Sequence, residues 1–412
     1  MKSNYKIFDL GGSFLKIYCS KKNIINKLDM FPDNIISLFK LKSIILENID
    51  EDTEYIGLSS QMHGFILFDQ FNNNISDFIT WKNTSTKNIL DENIFENFYK
   101  TGLQKRNDLP INNLNDFLKN NEKKYKINNK IYFKNITEGI LDETLNITHL
   151  TMACGSGFYN IFNEVYINEY INYFNKIFKI ELILDKVIND IQISGFINKY
   201  NKKIPVYVGI GDFQSSLYGT NIEPKTLLIN MATGSQIAQL VKRDDLNIDN
   251  LNNLNNLDNK FSYRPYFNDY LIKCITHIPS GRFLNIFYNF FKEININIWE
   301  YFNNLTINDI YSSNIFIDTN IFLEDGVIFS NIHIHNFNIK NFISSILYNY
   351  IFQYIKLIKC NKMNFDYIIL SGGIPKKISL IKEIFEKEFN KKVILNKIED
   401  DSIIGVLNLI NK

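Results

Sequence analysis

Two similar α/β domains are predicted by the sequence, because one pattern of strands and turns occurs twice along the chain. Residues 5–20 (YKIFDLGGSFLKIYCS) and residues 226–241 (TLLINMATGSQIAQLV) each contain an apolar strand, a glycine turn and a second apolar strand, the pattern of a hairpin. Each hairpin precedes a further strand that ends in a polar loop, at residues 54–64 (EYIGLSSQMHG) and residues 365–377 (FDYIILSGGIPKK). This repeat indicates that the two halves of the chain share one fold.

The length of the chain agrees with a division into domains. Its 412 residues exceed the size at which a single hydrophobic core stops growing. We place the first domain at residues 1–222 and the second at residues 223–412, because the second hairpin begins just after this point.

Charge, cysteine usage and hydropathy exclude several classes of protein. The formal net charge is +1 without a basic block, so the electrostatic footprint of a nucleic-acid-binding protein is missing. The four cysteines form no CxxC pair, which indicates neither a zinc site nor a disulfide framework. The apolar residues 342–358 are interrupted by polar side chains and are fewer than the ~20 of a membrane span, so a buried helix is expected. Without a signal-peptide pattern at the N-terminus, we expect a cytoplasmic protein that binds small molecules and no membrane.

The first hairpin turn, DLGGSFLK, combines glycines with a carboxylate and a lysine. Backbone N–H groups around Gly11, Gly12 and Ser13 can approach an anion, because no large side chain blocks them. Asp9 would repel a phosphate there unless a divalent metal, linked through water, lay between them. Lys16 fits either a phosphate contact or the surface end of a strand. A plain tight turn explains the same pattern.

The loop Gln61, Met62, His63 and Gly64 follows the predicted strand YIGLS. Polar side chains at the C-terminal end of such a strand are typical of a ligand site in α/β proteins. The alternative is a loop histidine that bonds only to its neighbours.

Asp212 lies between an apolar strand with a Gly-Ile-Gly turn and a predicted helix, in VYVGIGDFQSSLYG. A carboxylate with an ordinary pKa of ~3.9 is ionised at neutral pH and can accept a proton from a hydroxyl group. Asp is also a good N-cap residue for a helix, and the two roles are compatible.

Two glycine turns in the second half complete the set. Thr233, Gly234 and Ser235 form the second hairpin turn. When the two hairpins are aligned on their Gly-Ser pairs, Met231 of the second stands opposite Asp9 of the first. A similar turn thus forms without the acid, so Asp9 is not needed to shape it. The Gly372-Gly373 loop precedes an amphipathic helix and suits the flat or anionic part of a nucleotide. A glycine-rich helix start is the simpler explanation.

The order of these motifs resembles that of the FGGY family of carbohydrate kinases, within the actin–hexokinase–Hsp70 superfamily. DLGGSFLK and MATGSQIA are similar to its two phosphate motifs, GIGDFQSSLYG to its Gly-Asp catalytic turn, and GLSSQMHG to the sugar loop of its xylulokinase-like members. LSGGIPKK, with Glu399 and Gly405, resembles the adenosine-binding region. Residues 263–291, with an Arg-Pro pair and then Gly281 before an arginine, resemble the sedoheptulokinase members.

The resemblance implies two ribonuclease-H-like α/β domains around a central cleft, with ATP and Mg²⁺ as cofactors. It implies phosphorylation of the terminal hydroxyl of a ketose, with sedoheptulose as the first choice. Asp212 would be the general base, Asp9 would organise the metal, and Gln61, Met62, His63 and Gly64 would hold the sugar. The remaining implied contacts, to the nucleotide, are Gly11, Gly12, Ser13, Lys16, Thr233, Gly234, Ser235, Gly281, Gly372 and Gly373.

The sequence departs from this family at a few positions and leaves other functions open. Asn83 and Ser85 stand where relatives usually carry Asp and Arg. The nearest alternative is a kinase of xylulose or another pentulose. A second alternative is a non-catalytic sugar or nucleotide sensor. The presence of both Asp9 and Asp212 argues against it. A third alternative is an actin-like ATPase or scaffold. The Gln-Met-His-Gly loop argues against it.

Overall fold

Two mixed sheets organise the chain in this computed structural model. The structure describes residues 4–12, 14–29, 33–121, 129–232, 234–246, 261–319, 329–333, 335 and 337–412.

The strands before the second hairpin are β1 (Tyr5–Leu10), β2 (Phe14–Cys19), β3 (Ile24–Asp29), β4 (Ile35–Ile36), β5 (Tyr55–Ser60), β6 (Ile66–Phe68), β7 (Phe78–Ile79), β8 (Asn129–Lys134), β9 (Glu143–Thr144), β10 (Ile147–His149), β11 (Tyr159–Asn160), β12 (Val165–Tyr166), β13 (Ile180–Leu184), β14 (Lys186–Ile188), β15 (Ile193–Lys199), β16 (Lys202–Tyr207) and β17 (Ile210–Gly211). The α-helices of this half are α1 (Leu38–Glu47), α2 (Pro110–Asn120), α3 (Ile136–Gly139), α4 (Leu150–Ala153), α5 (Asn168–Phe178) and α6 (Asp212–Gly219). Short 3₁₀ helices lie at Ile89–Asp91, Asn93–Thr101 and Cys154–Ser156.

The strands of the second half are β18 (Thr226–Met231), β19 (Gly234–Lys242), β20 (Ser262–Pro265), β21 (Tyr270–Pro279), β22 (Phe316–Ile317), β23 (Phe329–Ser330), β24 (Tyr367–Ser371) and β25 (Lys392–Leu395). Its α-helices are α7 (Gly281–Glu293), α8 (Ile298–Asn304), α9 (Ile307–Tyr311), α10 (Ile339–Cys360), α11 (Gly373–Lys377), α12 (Leu380–Phe389) and α13 (Asp401–Ile410), and a 3₁₀ helix lies at Arg243–Asp245.

The two main sheets repeat one strand order. The first runs β3-β2-β1-β5-β16-β15-β9, and the second runs β20-β21-β19-β18-β24-β25. In each, an antiparallel hairpin (β1 with β2, β18 with β19) is followed by a parallel strand, β5 or β24. The central strands are buried along nearly their whole length, because both faces of the sheet are covered. The predicted repeat of hairpin and parallel strand is therefore confirmed.

The two hairpins are offset by one residue from an alignment on their Gly-Ser pairs. Asp9 pairs with Ser59 of the parallel strand, and the equivalent pair in the second sheet is Asn230 with Ser371. The first hairpin turn is one residue longer than the second, so an alignment on the Gly-Ser pairs misaligns the strands before the turns by one residue. A one-residue shift in a strand exchanges its faces, so Met231 belongs to the hydrophobic core and Asn230 is the counterpart of Asp9. The second hairpin still carries an amide where the first carries an acid.

The two halves meet through a continuous hydrophobic cluster. Phe213 and Leu217 of α6 belong to the same buried cluster as Ala238 and Tyr263 of the second sheet. The N–H of Tyr263 also donates a 2.8 Å hydrogen bond to the carbonyl oxygen of Gly102. These contacts hold edge strand β20 against the first half of the chain.

Helix α13 comes after the second sheet in the chain but packs on the first sheet. Its residues Ile403 and Val406 form a buried cluster with Ile7 of β1. A Cβ atom on Gly405 would lie 1.8 Å from the backbone oxygen of Ser215, so α13 and α6 touch backbone to backbone at this glycine. Gly405 therefore serves helix packing, which differs from the nucleotide region that the resemblance implied.

The predicted buried helix at residues 342–358 is confirmed as the inner part of α10. Its apolar side chains, including Ile343, Leu347 and Ile351, enter the core of the second half. Within the described ranges, no helix has a length and apolar character that would suit it to crossing a membrane.

Candidate active site

Asp9 lies near the end of β1, immediately before the first glycine turn. Its side chain is buried, and Oδ2 accepts a hydrogen bond of 2.5 Å from Ser402 Oγ of α13. The other oxygen, Oδ1, is also buried and has no hydrogen-bond partner among the described residues. Because burying such an oxygen without a donor is costly, this atom is a candidate ligand-binding atom.

The glycine turn after Asp9 is shaped by close contacts. The N–H of Gly11 donates to the carbonyl oxygen of Phe14 at 3.1 Å and is therefore used within the turn. A Cβ atom on Gly12 would lie 2.9 Å from Trp81 Nε1, so only glycine fits beneath this ring. Ser13 lies outside the described residues.

Lys16 of β2 turns towards carboxylates at the start of α13. Its Nζ lies 3.5 Å from Asp9 Oδ2 and 3.3 Å from Asp400 Oδ1. Burial by itself lowers the pKa of Lys16, but the charges of Asp9 and Asp400 outweigh burial and raise that pKa above its ordinary value. Lys16 is thus a charged partner of Asp9 in this structure.

Asp212 is the first residue of α6 and follows β17, as the strand–turn–helix pattern predicts. Gly211 occupies the N-cap position, and Asp212 Oδ1 accepts the N–H of the next residue, Phe213, at 2.8 Å. The N-cap interpretation of this acid is therefore wrong. Burial and then the charge of Asp9 raise the pKa of Asp212 to about 7. A carboxylate with a pKa near the working pH is suited to proton transfer.

The two glycines before Asp212 allow neighbouring side chains to approach. A Cβ atom on Gly209 would lie 2.3 Å from Thr137 Cγ2, and one on Gly211 would lie 2.5 Å from Met62 Sδ. The glycines therefore bring the Met62 loop directly against the turn that carries the acid.

His63, in the loop after β5, has one bonded and one unbonded ring nitrogen. Nδ1 lies 3.0 Å from the carbonyl oxygen of Gly155, while Nε2 is buried and has no hydrogen-bond partner in the described residues. Burial, followed by the charges of nearby arginines, places the pKa of His63 well below its ordinary value. The ring is therefore neutral, Nδ1 donates to the carbonyl group, and Nε2 is a bare acceptor.

The flanking residues of this loop differ in their roles. Gln61 Oε1 is likewise buried without a hydrogen-bond partner among the described residues. A Cβ atom on Gly64 would lie 2.6 Å from the ring of Phe78, so this glycine is required by packing.

One cavity of about 330 Å³ brings seven of the predicted site residues together. The predicted residues in its wall are Gly12, Gln61, Met62, His63, Asp212, Gly234 and Ser235. Asp9, Gly11, Lys16 and Gly64 are not among the residues that line this cavity. Both hairpin turns, the polar loop and the Gly-Asp turn therefore face one space, although they are far apart in the sequence.

Arg264 of β20 forms part of the opposite wall, and it was given no role from the sequence. The residue is only 5% exposed, and its guanidinium lies 5.5 Å from the ring of Phe213. Its Nε atom is buried and lacks a hydrogen-bond partner within the described part of the chain. A buried guanidinium facing a cavity is suited to bind oxygen atoms of a ligand.

His277 of β21 lines the same wall and is held by Arg106 of the first half. Arg106 Nη1 lies 3.1 Å from His277 Nδ1, and Arg106 Nε donates to Asp108 Oδ1 at 2.8 Å. Burial and then Arg106 lower the pKa of His277 to about 3, so this ring is neutral. The pair crosses from one half of the chain to the other beside the cavity.

A second cavity of about 420 Å³ lies on the second half. Its wall includes Ala232, Gly281, Arg282, Trp299 and Gly373. A flat aromatic side chain and bare glycine backbone are features that suit a planar ring such as a nucleotide base.

The other residues predicted near this cavity have different positions. Gly372 has a φ of +93°, and a Cβ atom there would lie 2.2 Å from the backbone oxygen of Met231, so it shapes the turn. Thr233 lies outside the described residues. Asn83 and Ser85, which depart from the family, do not line either cavity; Asn83 Nδ2 instead donates to Asn113 Oδ1 at 3.1 Å.

Comparison with known proteins identifies a family that part of this chain resembles. Residues 29–219 match the model of the N-terminal domain of the FGGY family of carbohydrate kinases. No curated protein matches the sequence.

Solved structures share the whole fold. A ligand-bound xylulose kinase from Lactobacillus acidophilus has a TM-score of 0.79 at 15% identity, covering 99% of this chain and 88% of its own. A gluconate kinase from the same organism has a TM-score of 0.79 at 16% identity, and the match covers 99% of this chain and 89% of the gluconate kinase. A Plasmodium falciparum glycerol kinase with ADP has a TM-score of 0.77 at 13% identity, and the match covers 99% of this chain and 89% of the glycerol kinase. The predicted fold of two ribonuclease-H-like α/β domains is confirmed.

Proposed function

We propose that this protein is a carbohydrate kinase of the FGGY family, which transfers the γ-phosphoryl group of ATP to the terminal hydroxyl of a ketose. Sedoheptulose is the first candidate, on the resemblance of residues 263–291. The observation that supports the proposal best is that Asp212 shares one cavity with both glycine hairpins and the His63 loop.

Asp212 is the proposed general base. The acceptor hydroxyl loses its proton to this carboxylate as its oxygen bonds to the γ-phosphorus atom. Phosphoryl transfer has a loose transition state, so most of the catalysis is positioning and charge stabilisation. The hydrogen bond from the Phe213 N–H holds the carboxylate at the start of α6.

Asp9 is the proposed partner of Mg²⁺. Mg²⁺ prefers oxygen ligands and usually keeps several waters, so one carboxylate beside the phosphates is sufficient. The buried Oδ1 without a hydrogen-bond partner fits this role, while Ser402 and Lys16 hold Oδ2. Bound Mg²⁺ would neutralise charge on the phosphates.

The nucleotide is proposed to extend from the second cavity to the first. Its base would lie beside Gly281 and Gly373, and its phosphates would follow the second hairpin to Gly234. Closure of the two domains over the sugar would exclude water and limit wasteful hydrolysis of ATP.

The proposal is tested by following ADP release from Mg-ATP with a panel of acceptors. Sedoheptulose, xylulose, ribulose, gluconate and glycerol cover the ketoses and the acceptors named for similar structures. Release that depends on sedoheptulose supports the first candidate. Release that depends on a pentulose supports the second, which the xylulokinase-like loop GLSSQMHG favours. If no acceptor stimulates release, the chain is a sensor or a scaffold and the proposal is wrong.

Replacing His63 with Ala should raise the KM for the sugar about 10-fold and leave the KM for ATP nearly unchanged. His63 lines the first cavity, its Nε2 acceptor has no hydrogen-bond partner among the described residues, and losing one hydrogen bond to a ligand costs ~1 kcal/mol or more. Steady-state kinetics with each substrate varied in turn measures both constants. His333→Ala, at an exposed position, is the control. An unchanged KM for the sugar would place the sugar elsewhere.

A further inference from the structure

Arginine is rare in this chain and concentrates at the first cavity. Only four of the 45 Lys and Arg residues are arginines. Arg264 and Arg282 line the cavity, and Arg106 contacts its wall through His277. The fourth, Arg243, pairs with Glu164 away from the cavity. Since lysine supplies nearly all other positive charge, the planar guanidinium group is used mainly at this site.

Arg282 has a position that Arg264 and Arg106 lack. Of the described residues, it is the one that lines both the acceptor cavity and the second cavity. The side chain of Arg282 therefore lies beside both the proposed nucleotide site and the cavity that contains Asp212.

The backbone at Arg282 is fixed against the second hairpin. The N–H of Gly281 donates to the carbonyl oxygen of Ala232 at 2.9 Å, and Ser280 Oγ lies 2.9 Å from the hydroxyl of the buried Tyr350. Arg282 itself is in the first turn of α7, with its side chain exposed at the junction of the cavities. A charged side chain on a fixed backbone is suited to hold a ligand group in position during reaction.

We propose that Arg282 is a catalytic residue whose guanidinium binds the phosphoryl group while it moves from ATP to the acceptor. This inference rests on the proposed phosphoryl transfer. The bond from the γ-phosphorus to the β–γ bridging oxygen breaks, and its electron pair leaves with ADP. A bond forms from the acceptor oxygen to phosphorus, and the hydroxyl proton passes to Asp212. Arg282 remains protonated throughout.

Charge distribution in the transition state explains why arginine is suited to this position. Negative charge spreads over the equatorial oxygens of the transferring group and onto the leaving oxygen. A guanidinium can contact two such oxygens at once, whereas a lysine acts as a single point of charge. Arg282 lies in the first turn of α7, so the positive end of the helix dipole adds to the same field.

The kinetic test compares Arg282→Met and Arg282→Lys with the wild-type protein, using the ketose that the acceptor panel selects. Arg282→Met should lower kcat roughly 100-fold, the usual effect of removing one preorganised donor, and change the KM for the sugar less than 3-fold. Arg282→Lys should recover only part of this loss. Lys292→Met, exposed in the last turn of the same helix, should behave as wild type. A normal kcat in Arg282→Met, or a defect confined to the KM of the sugar, would overturn the inference.

A second measurement does not depend on the acceptor. Aluminium fluoride with Mg-ADP imitates a transferring phosphoryl group, so it should strengthen ADP binding to the wild-type protein. In Arg282→Met this strengthening should disappear, while the Kd for ADP alone stays within about 3-fold. Equal strengthening in both proteins, or none in the wild type, contradicts the role. A wild type that responds to aluminium fluoride but to no sugar in the panel refutes the proposed acceptor and leaves the role of Arg282 intact.

Discussion

Asp212→Asn is expected to lower kcat by ~100- to 10,000-fold, the usual contribution of a general base. The amide can still accept the N–H of Phe213, so the start of α6 should keep its geometry. It cannot accept a proton from the acceptor hydroxyl. ADP release measures the loss, and a fluorescent nucleotide shows whether ATP binding persists. Asp366→Asn, at an exposed position, is the matched control, and near-normal turnover in Asp212→Asn would refute the assignment of the base.

The same variant should be more stable than the wild type at neutral pH. Folding raises the pKa of Asp212 from 3.8 to about 7. Between these two pH values, the folded protein therefore keeps a proton on Asp212 that the unfolded chain has released. The stability of the wild type therefore falls as the pH rises through this window, and the variant lacks this contribution. Thermal unfolding without Mg²⁺ should show the advantage of the variant growing from pH 4 to pH 7 and then levelling off. An advantage that does not change with pH would contradict the raised pKa.

Gly405→Ala is expected to destabilise the protein by about 3 kcal/mol, at the upper end for overpacking. Alanine normally favours a helix, but its Cβ would lie 1.8 Å from the backbone oxygen of Ser215. The helices α6 and α13 must separate, which moves Ser402 away from Asp9. We therefore expect a lower free energy of unfolding together with a higher KM for Mg-ATP.

Gly373→Ala provides the matched control for stability. Both glycines are helical, but a Cβ atom on Gly373 would meet nothing within 4 Å. Denaturant unfolding should give a large loss for Gly405→Ala and almost none for Gly373→Ala. If the two variants are equally stable, the close contact of α6 and α13 does not control the fold.

Local patterns were sufficient to predict the repeated fold and much of the first cavity. The hairpins, the loop around His63 and the turn before Asp212 are each continuous in sequence, and glycines with alternating strands mark them. The alignment of Asp9 with Met231 is wrong by one residue, because the two hairpin turns differ in length. Only the strand register shows that Asn230 is the residue equivalent to Asp9.

The remaining parts of the site depend on contacts between distant segments. Ser402 reaches Asp9 from α13, which follows the second sheet in the sequence, and no motif marks Ser402 as a partner of this acid. Arg264 and Arg282 lie within a segment that resembles the family, yet spacing alone cannot show which cavity they face. Besides that resemblance, the scarcity of arginine is a signal in the sequence that points to these two residues.

The place of α13 in the chain bears on whether the two halves could be separated. The helix that covers Ile7 and carries Ser402 follows the second sheet in the sequence, although it packs on the first. A fragment that stops before the second hairpin would therefore lack the hydroxyl that binds Asp9 and the Asp400 carboxylate that pairs with Lys16. The first sheet would keep its strands, but the acidic site beside it would be incomplete, so the two halves are not interchangeable modules.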